Sequence, residues 1–301
     1  MPYKKILEKI MNIQTHENLL VYNPKYTVQE INNILKENNL DGLRFFCFFE
    51  EDRVTDFSFL KEITHLNTLS LFLMDEVTFD FLYDLASLKS LHIQTLFFPI
   101  DFARLPQLNT LSLQWNKSNV INLHALRNLS HLSISEFTEG DLEVISTLTS
   151  LRSLAMATAK CKTLKGIEKL VNLEALSIGA FRQLADISAI SGQDKLRYLE
   201  FDICPKMRDF SPLGKLQNLE ILELLDCKNL ESIQFVKDMK KLEQLSILGT
   251  TVVNDFDLTP AANIARVYGG FGKKYNISLK DKELPNARRS FKGFVMKSIN
   301  N

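Results

Sequence analysis

Cysteine is scarce in this chain and never paired. Cys47, Cys161, Cys204 and Cys227 form no C-x-x-C spacing, so neither a zinc ribbon nor a disulfide framework is suggested. Net charge is absent as well, with 36 basic residues against 36 acidic ones. That balance argues against a general nucleic-acid binder and leaves only local patches to consider. No run approaches the roughly 20 apolar residues that span a bilayer, so no membrane segment is expected. The start, "MPYKKILEKIMNIQTHENLL", breaks each apolar stretch with a charge. It has neither the h-region nor the small-residue cleavage site of a signal peptide. We therefore expect a reduced, cytoplasmic protein in which the sequons at Asn116, Asn128 and Asn276 are coincidental.

What the chain does have is enough material for a large core, and a repeat. Its 301 residues are 45% apolar and 24% charged, proportions ordinary for soluble globular proteins. In "LQNLEILELLDCKNLESIQFV", from Leu216, apolar residues come three apart, then two apart, then three apart again. Neither a helical period near 3.6 nor a plain strand period of 2 fits throughout. The pattern apolar-x-x-apolar-x-apolar starts at Leu40, Leu66, Leu88, Leu108, Leu129, Leu151, Leu173, Leu196, Leu219 and Leu242, at steps of 20 to 26 residues. A degenerate eleventh copy starts at Ile264.

One copy explains the spacing. Leu222 and Leu224 alternate inward as in a strand, while Ile221, Glu223 and Leu225 point outward. The later spacing by threes suits tight extended or 3₁₀ turns. A single coil cannot bury its own leucines, so the coils must stack and their strands form one parallel sheet.

These residues, among them "LNTLSLQWN", "LRYLEFDIC" and "LEILELLDC", resemble the leucine-rich repeat family and its L-x-x-L-x-L-x-x-N/C-x-L signature. "ADISAISGQDKLRYLEF" and "RDFSPLGKLQNLEILEL" look like repeats of bacterial internalin-type proteins. The resemblance covers roughly residues 40 to 267 and implies an α/β solenoid with a curved parallel sheet. It is specific for fold and weak for function, because one fold hosts many roles. The chain departs from the pattern at the ladder position, where Asn stands only at Asn116. Elsewhere the position falls on Phe48, Met74, Leu96, Phe137, Ala159, Phe181, Cys204, Cys227 and Thr250.

The ends break the repeat. Residues 1–39 are expected to form an N-terminal helical cap, with Thr27 and Glu30 making a capping box and Val28, Ile31, Ile34 and Leu35 an apolar face. Residues 40–267 form the solenoid, and 268–301 a basic C-terminal cap or tail. From Asn263 onward there are nine Lys or Arg against Asp281 and Glu283, a net +7. That stretch is either a cap with solvated lysines or a docking segment for an acidic partner.

Catalytic chemistry is hard to place. "YGGFGKK" (Tyr268 to Lys274) lacks the G-K-[ST] ending of a phosphate cradle. His92 and His131 sit outward two coils apart, without further metal ligands between them. Cys204 and Cys227 stack at one position in adjacent coils and read as core. Glu200 and Glu223 stack on an open face, with no dry pocket to perturb them. We expect no catalytic residues, no metal and no cofactor.

The outward face remains. At its N-terminal end Phe46 and Phe72 are adjacent, with Trp115 at a nearby strand end. They form either an exposed aromatic binding patch or a patch under the N-terminal cap. His92, Gln94, Gln114 and His131 lie along the same face. Toward the C-terminal end Tyr198, Glu200, Asp202, Glu223 and Asp226 make an acidic strip that suits a basic protein partner. The expected function is non-enzymatic protein binding by a monomer, in a form such as a bacterial immunity protein that neutralises a toxin. The alternative is a bacterial effector whose repeats recognise a host target.

Overall fold

A computed structural model of the chain describes residues 18–47, 53–284 and 288–299. The spacing by threes and twos becomes, among these residues, a twelve-stranded parallel sheet. Its strands are β1 (Leu19–Val21), β2 (Gly42–Cys47), β3 (Thr68–Leu73), β4 (Ser90–Ile93), β6 (Thr110–Gln114) and β8 (His131–Phe137). They continue with β9 (Ser153–Ala159), β10 (Ala175–Gly179), β11 (Tyr198–Asp202), β12 (Ile221–Leu225), β14 (Gln244–Leu248) and β16 (Arg266–Gly269). Two-residue strands pair separately, β5 (Ile100–Asp101) with β7 (Val120–Ile121) and β13 (Asn229–Leu230) with β15 (Val252–Val253).

The sheet starts before the first expected coil. Strand β1 pairs with β2, Leu20 opposite Leu43, and the helix α1 (Val28–Glu37) connects them. The capping box forms as the sequence suggests: Thr27 Oγ1 accepts from the Glu30 N–H at 3.2 Å, and Glu30 Oε2 accepts from the Thr27 N–H at 2.8 Å. Ile31 and Leu35 of this helix are buried.

Each strand hands over to a short 3₁₀ turn on the far side of the coil, such as Ser188–Gly192, Ser211–Lys215 and Gln234–Asp238. A side chain two residues before the first N–H of the turn commonly fixes its start. Asp186 accepts from Ser188 N–H at 2.9 Å, Asp209 from Ser211 N–H at 2.9 Å and Asp257 from Thr259 N–H at 2.9 Å. Short polar side chains bonding two residues ahead are the usual way to set such turns. The leucines between sheet and turns are dry; Leu222, Leu224, Leu230 and Ile233 are wholly buried in one continuous core.

The ladder after the strands differs from expectation, and backbone geometry explains how. Glu136, Thr158, Ala180, Ile203, Asp226 and Gly249 each stand seven residues after a coil's first leucine, and all have positive φ, from 49° to 66°. This left-handed residue adds a step, so the next residue turns inward: Phe137, Ala159, Phe181, Cys204 and Cys227 are buried. The coils of Leu66 and Leu108, without it, put the preceding position inside, whereas the coil of Leu88, also without it, buries the expected Leu96. Leu73 and Trp115 are therefore buried, while Met74 is 65% exposed and Asn116 is exposed. In the last regular coil Thr250 is exposed, and Thr251 is buried with its Oγ1 accepting from the Cys227 N–H at 3.0 Å. Phe48 lies outside the described residues.

Candidate functional site

Parallel register places three outward side chains per strand in rows across the coils. One row runs Ala175, Tyr198, Ile221, Gln244, Arg266, and the next Ser177, Glu200, Glu223, Ser246, Tyr268. Tyr198, Glu200 and Glu223 of the acidic strip stand in these rows, Tyr198 and Glu223 buried and Glu200 half-buried, while Asp202 stands in the next row and is half-buried. The chain returns over them after β16. Tyr268 donates its hydroxyl to the Leu284 carbonyl at 2.8 Å, and the helix α2 (Phe291–Ile299) lies on β10 and β11.

Three kinds of contact hold this segment. The first is apolar. Phe291, Phe294 and Val295 fall at i, i+3 and i+4, one face of a helical turn. They pack on Ala175, Tyr198 and Ile221 to form a second hydrophobic cluster, separate from the solenoid core. The Tyr198 ring centroid is 5.5 Å from both Phe291 and Phe294, and the Arg197 guanidinium lies 5.2 Å from the Phe294 ring. Burying a phenylalanine stabilises by roughly 1.5–3 kcal/mol. Ser290 Oγ accepts from the Gly293 N–H at 3.4 Å at the start of the helix.

The second contact is to main chain. Gln244 Nε2 donates to the Arg289 carbonyl at 3.0 Å, and Gln244 Oε1 accepts from the Arg289 N–H at 2.9 Å. The third is ionic. Arg288 Nε lies 2.8 Å from Glu223 Oε1, and Glu223 is only 2% exposed. A carboxylate this dry needs several donors. Glu223 also receives Tyr198 Oη at 2.7 Å, Ser246 Oγ at 3.0 Å and Gln244 Nε2 at 3.3 Å.

Tyr198 Oη is also 2.9 Å from Glu200 Oε2. One phenol proton serves two carboxyl groups, so a second proton is favoured nearby. Burial first, then the charges of Glu223 and Asp202, push the Glu200 carboxyl above its ordinary range. Burial and the same two glutamates also push the Tyr198 phenol up. Asp202 is raised by burial and by Asp226.

A row of charges just before the strands completes the picture. Arg152 pairs with Glu174 at 2.8 Å and Arg197 with Glu220 at 2.7 Å, while Arg266, from the start of β16, reaches Glu243 at 3.1 Å. The alternation fails once, where Glu220 and Glu243 are consecutive. Arg289 fills that place, 2.8 Å from Glu243 and 3.9 Å from Glu220.

Several expected site residues are thus placed differently. Tyr198 and Glu223 are buried under the chain's own tail rather than open. Asp226, at the left-handed step, turns aside and accepts from the Thr250 N–H at 2.8 Å. Trp115 belongs to the core side of its coil, 7% exposed, edge-on to Phe137 with centroids 4.8 Å apart. His92 is buried with Nε2 3.1 Å from Ser90 Oγ, whereas half-buried His131 has Nδ1 2.7 Å from Ser153 Oγ. Phe46 and Phe72 do stack outward, centroids 5.3 Å apart and half-buried, with the Arg44 guanidinium 5.7 Å from the Phe46 ring. Gln94 is exposed, and Gln114 Nε2 donates to Glu136 Oε2 at 2.7 Å. Sequence reasoning missed Ile221, Gln244, Phe291 and Phe294 as parts of the site. The signal was there in the aromatic pair three apart inside a tail of opposite charge to the strip.

Cys204 and Cys227 occupy equivalent core places as free thiols. Cys227 Sγ donates to the Phe201 carbonyl at 3.4 Å, and burial pushes the Cys161 thiol up to about 12. Among the described residues no three His, Cys, Asp or Glu side chains are grouped to hold a metal ion. None of the described helices is long and apolar enough to cross a membrane.

The sequence matches no family model and no curated protein. Solved structures do resemble the protein. The internalin InlF of Listeria monocytogenes aligns over 86% of this chain and 84% of its own, with a TM-score of 0.57 at 16% identity. A leucine-rich repeat protein of Leptospira interrogans aligns over 70% of this chain, with a TM-score of 0.56 at 19% identity. The functional domain of InlJ from Listeria monocytogenes, which includes a cysteine ladder, aligns over 75% with a TM-score of 0.51 at 17% identity. The chain spans 56% of the length of each of the latter two. Identities so low speak to fold alone, and that fold is the leucine-rich repeat solenoid.

Proposed function

We propose that this protein is a non-enzymatic binding module that takes a protein partner on the outward face of its sheet. Its role is that of a bacterial immunity protein, neutralising a basic toxin one to one. The observation that carries the reading is the covered face itself. That face grips a basic, aromatic chain segment by a backbone clamp, by carboxylates and by an apolar seat. Such a combination is how peptide-binding surfaces hold extended or helical ligands. The fold supports the same reading, since stacked coils create a long continuous surface suited to another chain. The open rows of Ser133, Ala155, Ala157 and Ser177 beside the tail leave room for a larger partner.

The test is capture from the source cell by the full chain and by two variants. Asp202→Lys with Ala157→Arg alters the face, and Val144→Arg alters the opposite side of a coil. We expect the face variant to lose the partner at least tenfold and the control to keep it. Equal capture by all three would reject binding through the face. Production of the captured protein alone should poison the cell, and co-production of this chain should rescue it. A harmless partner would reject the immunity role while leaving the interaction.

A further inference from the structure

The tail is attached like a ligand rather than like a coil. Residues 288–299 contribute no strand to the sheet and stand outside the repeat. Among residues 288–295 Phe294 alone is nearly fully buried, while Arg288, Lys292 and Gly293 are exposed. The seat beneath it is more elaborate than a cover requires. Gln244 reads main chain, Glu223 takes one guanidinium, and the break in the charge row at Glu220 and Glu243 takes a second.

We propose that the seat between β10 and β14 is a docking site for a basic helix of another protein. That helix offers two adjacent arginines with aromatic residues three and six positions after the first, and residues 288–299 fill the seat until it displaces them. The proposal rests on the protein-binding reading and names the chemistry of the partner.

The physical case follows from what release leaves behind. Lifting the tail strips Glu223 of its cation and takes Arg289 from between Glu220 and Glu243, which keep only Arg197 and Arg266. A neutral or acidic helix cannot restore either, because a buried carboxylate without a counter-charge is strongly disfavoured. A helix carrying the arginine pair restores both, and any aromatics at the right spacing reoccupy the surface of Tyr198 and Ile221. At residue 289 Gln244 bonds the backbone alone, so the clamp itself accepts any residue there except proline, which lacks the N–H. A tethered segment competes at an effective concentration around the millimolar range. The partner must therefore add contacts, and the neighbouring rows at Ala155 and Ala157 offer them. The tail then acts as a filter that admits only helices better than itself.

The experiment uses the full chain with Arg288→Ala, Phe291→Ala and Phe294→Ala, which loosens the tail in place. The probe is a fluorescent peptide with the sequence of residues 288–299, followed by anisotropy. We expect saturable binding at least tenfold tighter than to the unaltered chain. Binding should be lost when both peptide arginines are glutamate, and weakened by Glu223→Gln in the loosened chain. A loosened chain with unchanged circular dichroism that takes up no peptide overturns the proposal, as does equal uptake of the glutamate peptide. If the loosened chain fails to fold, hydrogen exchange of the unaltered chain decides. Amides of 291–299 should exchange at least a hundredfold faster than those of β11 and β12, and equal protection would make the tail a fixed part of the fold. A dimer of the unaltered chain dissociated by Glu223→Gln would assign the seat to a second copy and also overturn the proposal. Capture that depends on Asp202 and Ala157 while no peptide binds would leave the protein-binding reading standing and sink this inference alone.

Discussion

The side-chain amide of Gln244 meets the backbone of Arg289 as one strand meets another, donating to its carbonyl at 3.0 Å and accepting from its N–H at 2.9 Å. The two residues are 45 apart in sequence, and Gln244 is wholly buried between them and the sheet. Gln244→Leu keeps the volume and removes both bonds together with the one to Glu223, a loss of about 1.5–4.5 kcal/mol at roughly 0.5–1.5 for each of the three. The loss should fall on the attachment of the tail. Trypsin should then cut near Arg288 and Arg289 about tenfold faster or more, leaving the coils intact by mass.

Glu223 faces outward from its strand, yet its burial makes it intolerant of charge reversal. Glu223→Lys confronts Arg288 with a like charge and breaks an ion pair that is dry on the carboxylate side only. Breaking a fully buried pair costs about 3–5 kcal/mol, and with Arg288 partly exposed the loss should be about 1–3 kcal/mol. Urea unfolding should show that loss, and an unchanged midpoint would contradict the arrangement.

Glu200 behaves oppositely. Its carboxyl is raised by burial, so the folded state favours the neutral acid. Stability from that proton is fully present below the unfolded range and lost as pH rises through the folded value. Glu200→Gln should therefore raise the midpoint at pH 7 relative to the unaltered chain, and the gain should vanish toward pH 4.

The turn-starting aspartates carry the other sign. Asp186 and Asp209 are held below the usual carboxylate range, Asp186 chiefly by the Ser188 backbone N–H and Asp209 by the Ser211 side chain and N–H. Their contribution is present above the unfolded value near 3.9 and is lost as pH falls through the folded one. The double variant Asp186→Ala with Asp209→Ala should melt lower at pH 7, and its deficit should shrink as pH is taken below about 4.

The left-handed steps cost stability wherever they are not glycine. Thr158 is β-branched, exposed and at φ 59°, a conformation that disfavours such residues by about 1–2 kcal/mol. Thr158→Asn should recover about 0.5–1 kcal/mol, since asparagine tolerates this region. Gly249→Val should do the reverse, because a Cβ there would stand 2.3 Å from Asp226 Oδ1. Calorimetry of the pair checks both signs.

Which parts of this were legible beforehand follows from the range of the interactions. Strands, 3₁₀ turns and the capping box of Thr27 and Glu30 are set by neighbours a few residues apart, and spacing reveals them. The inward position after the strand was legible in the coils of Phe137 and Cys204 but not in that of Trp115. It hangs on the sign of φ one residue earlier, where Glu, Thr, Ala, Ile and Asp all occur. The charge of the tail could be counted, yet its seat depends on contacts such as Arg288 with Glu223, 65 residues apart. No local pattern encodes that distance. Ile221 pointed outward as read, but an outward isoleucine explains itself only once Phe294 lies over it.

The coil-to-coil hydrogen bonds have a consequence for how such a chain can change length. Asn172 Nδ2 donates to the Thr149 carbonyl and Asn218 Nδ2 to the Asp194 carbonyl, at separations of 23 and 24 residues. Lys195 and Lys241 then reach back to those same asparagines, each across 23 residues. Every such bond joins a coil to its immediate neighbour, so duplicating or excising one whole coil preserves each kind of joint. Gains and losses of this sort leave the tail's seat intact only ahead of β10, the first strand it grips. The C-terminal half has a fixed gauge, and the stretch before it is where related chains are free to grow longer or shorter.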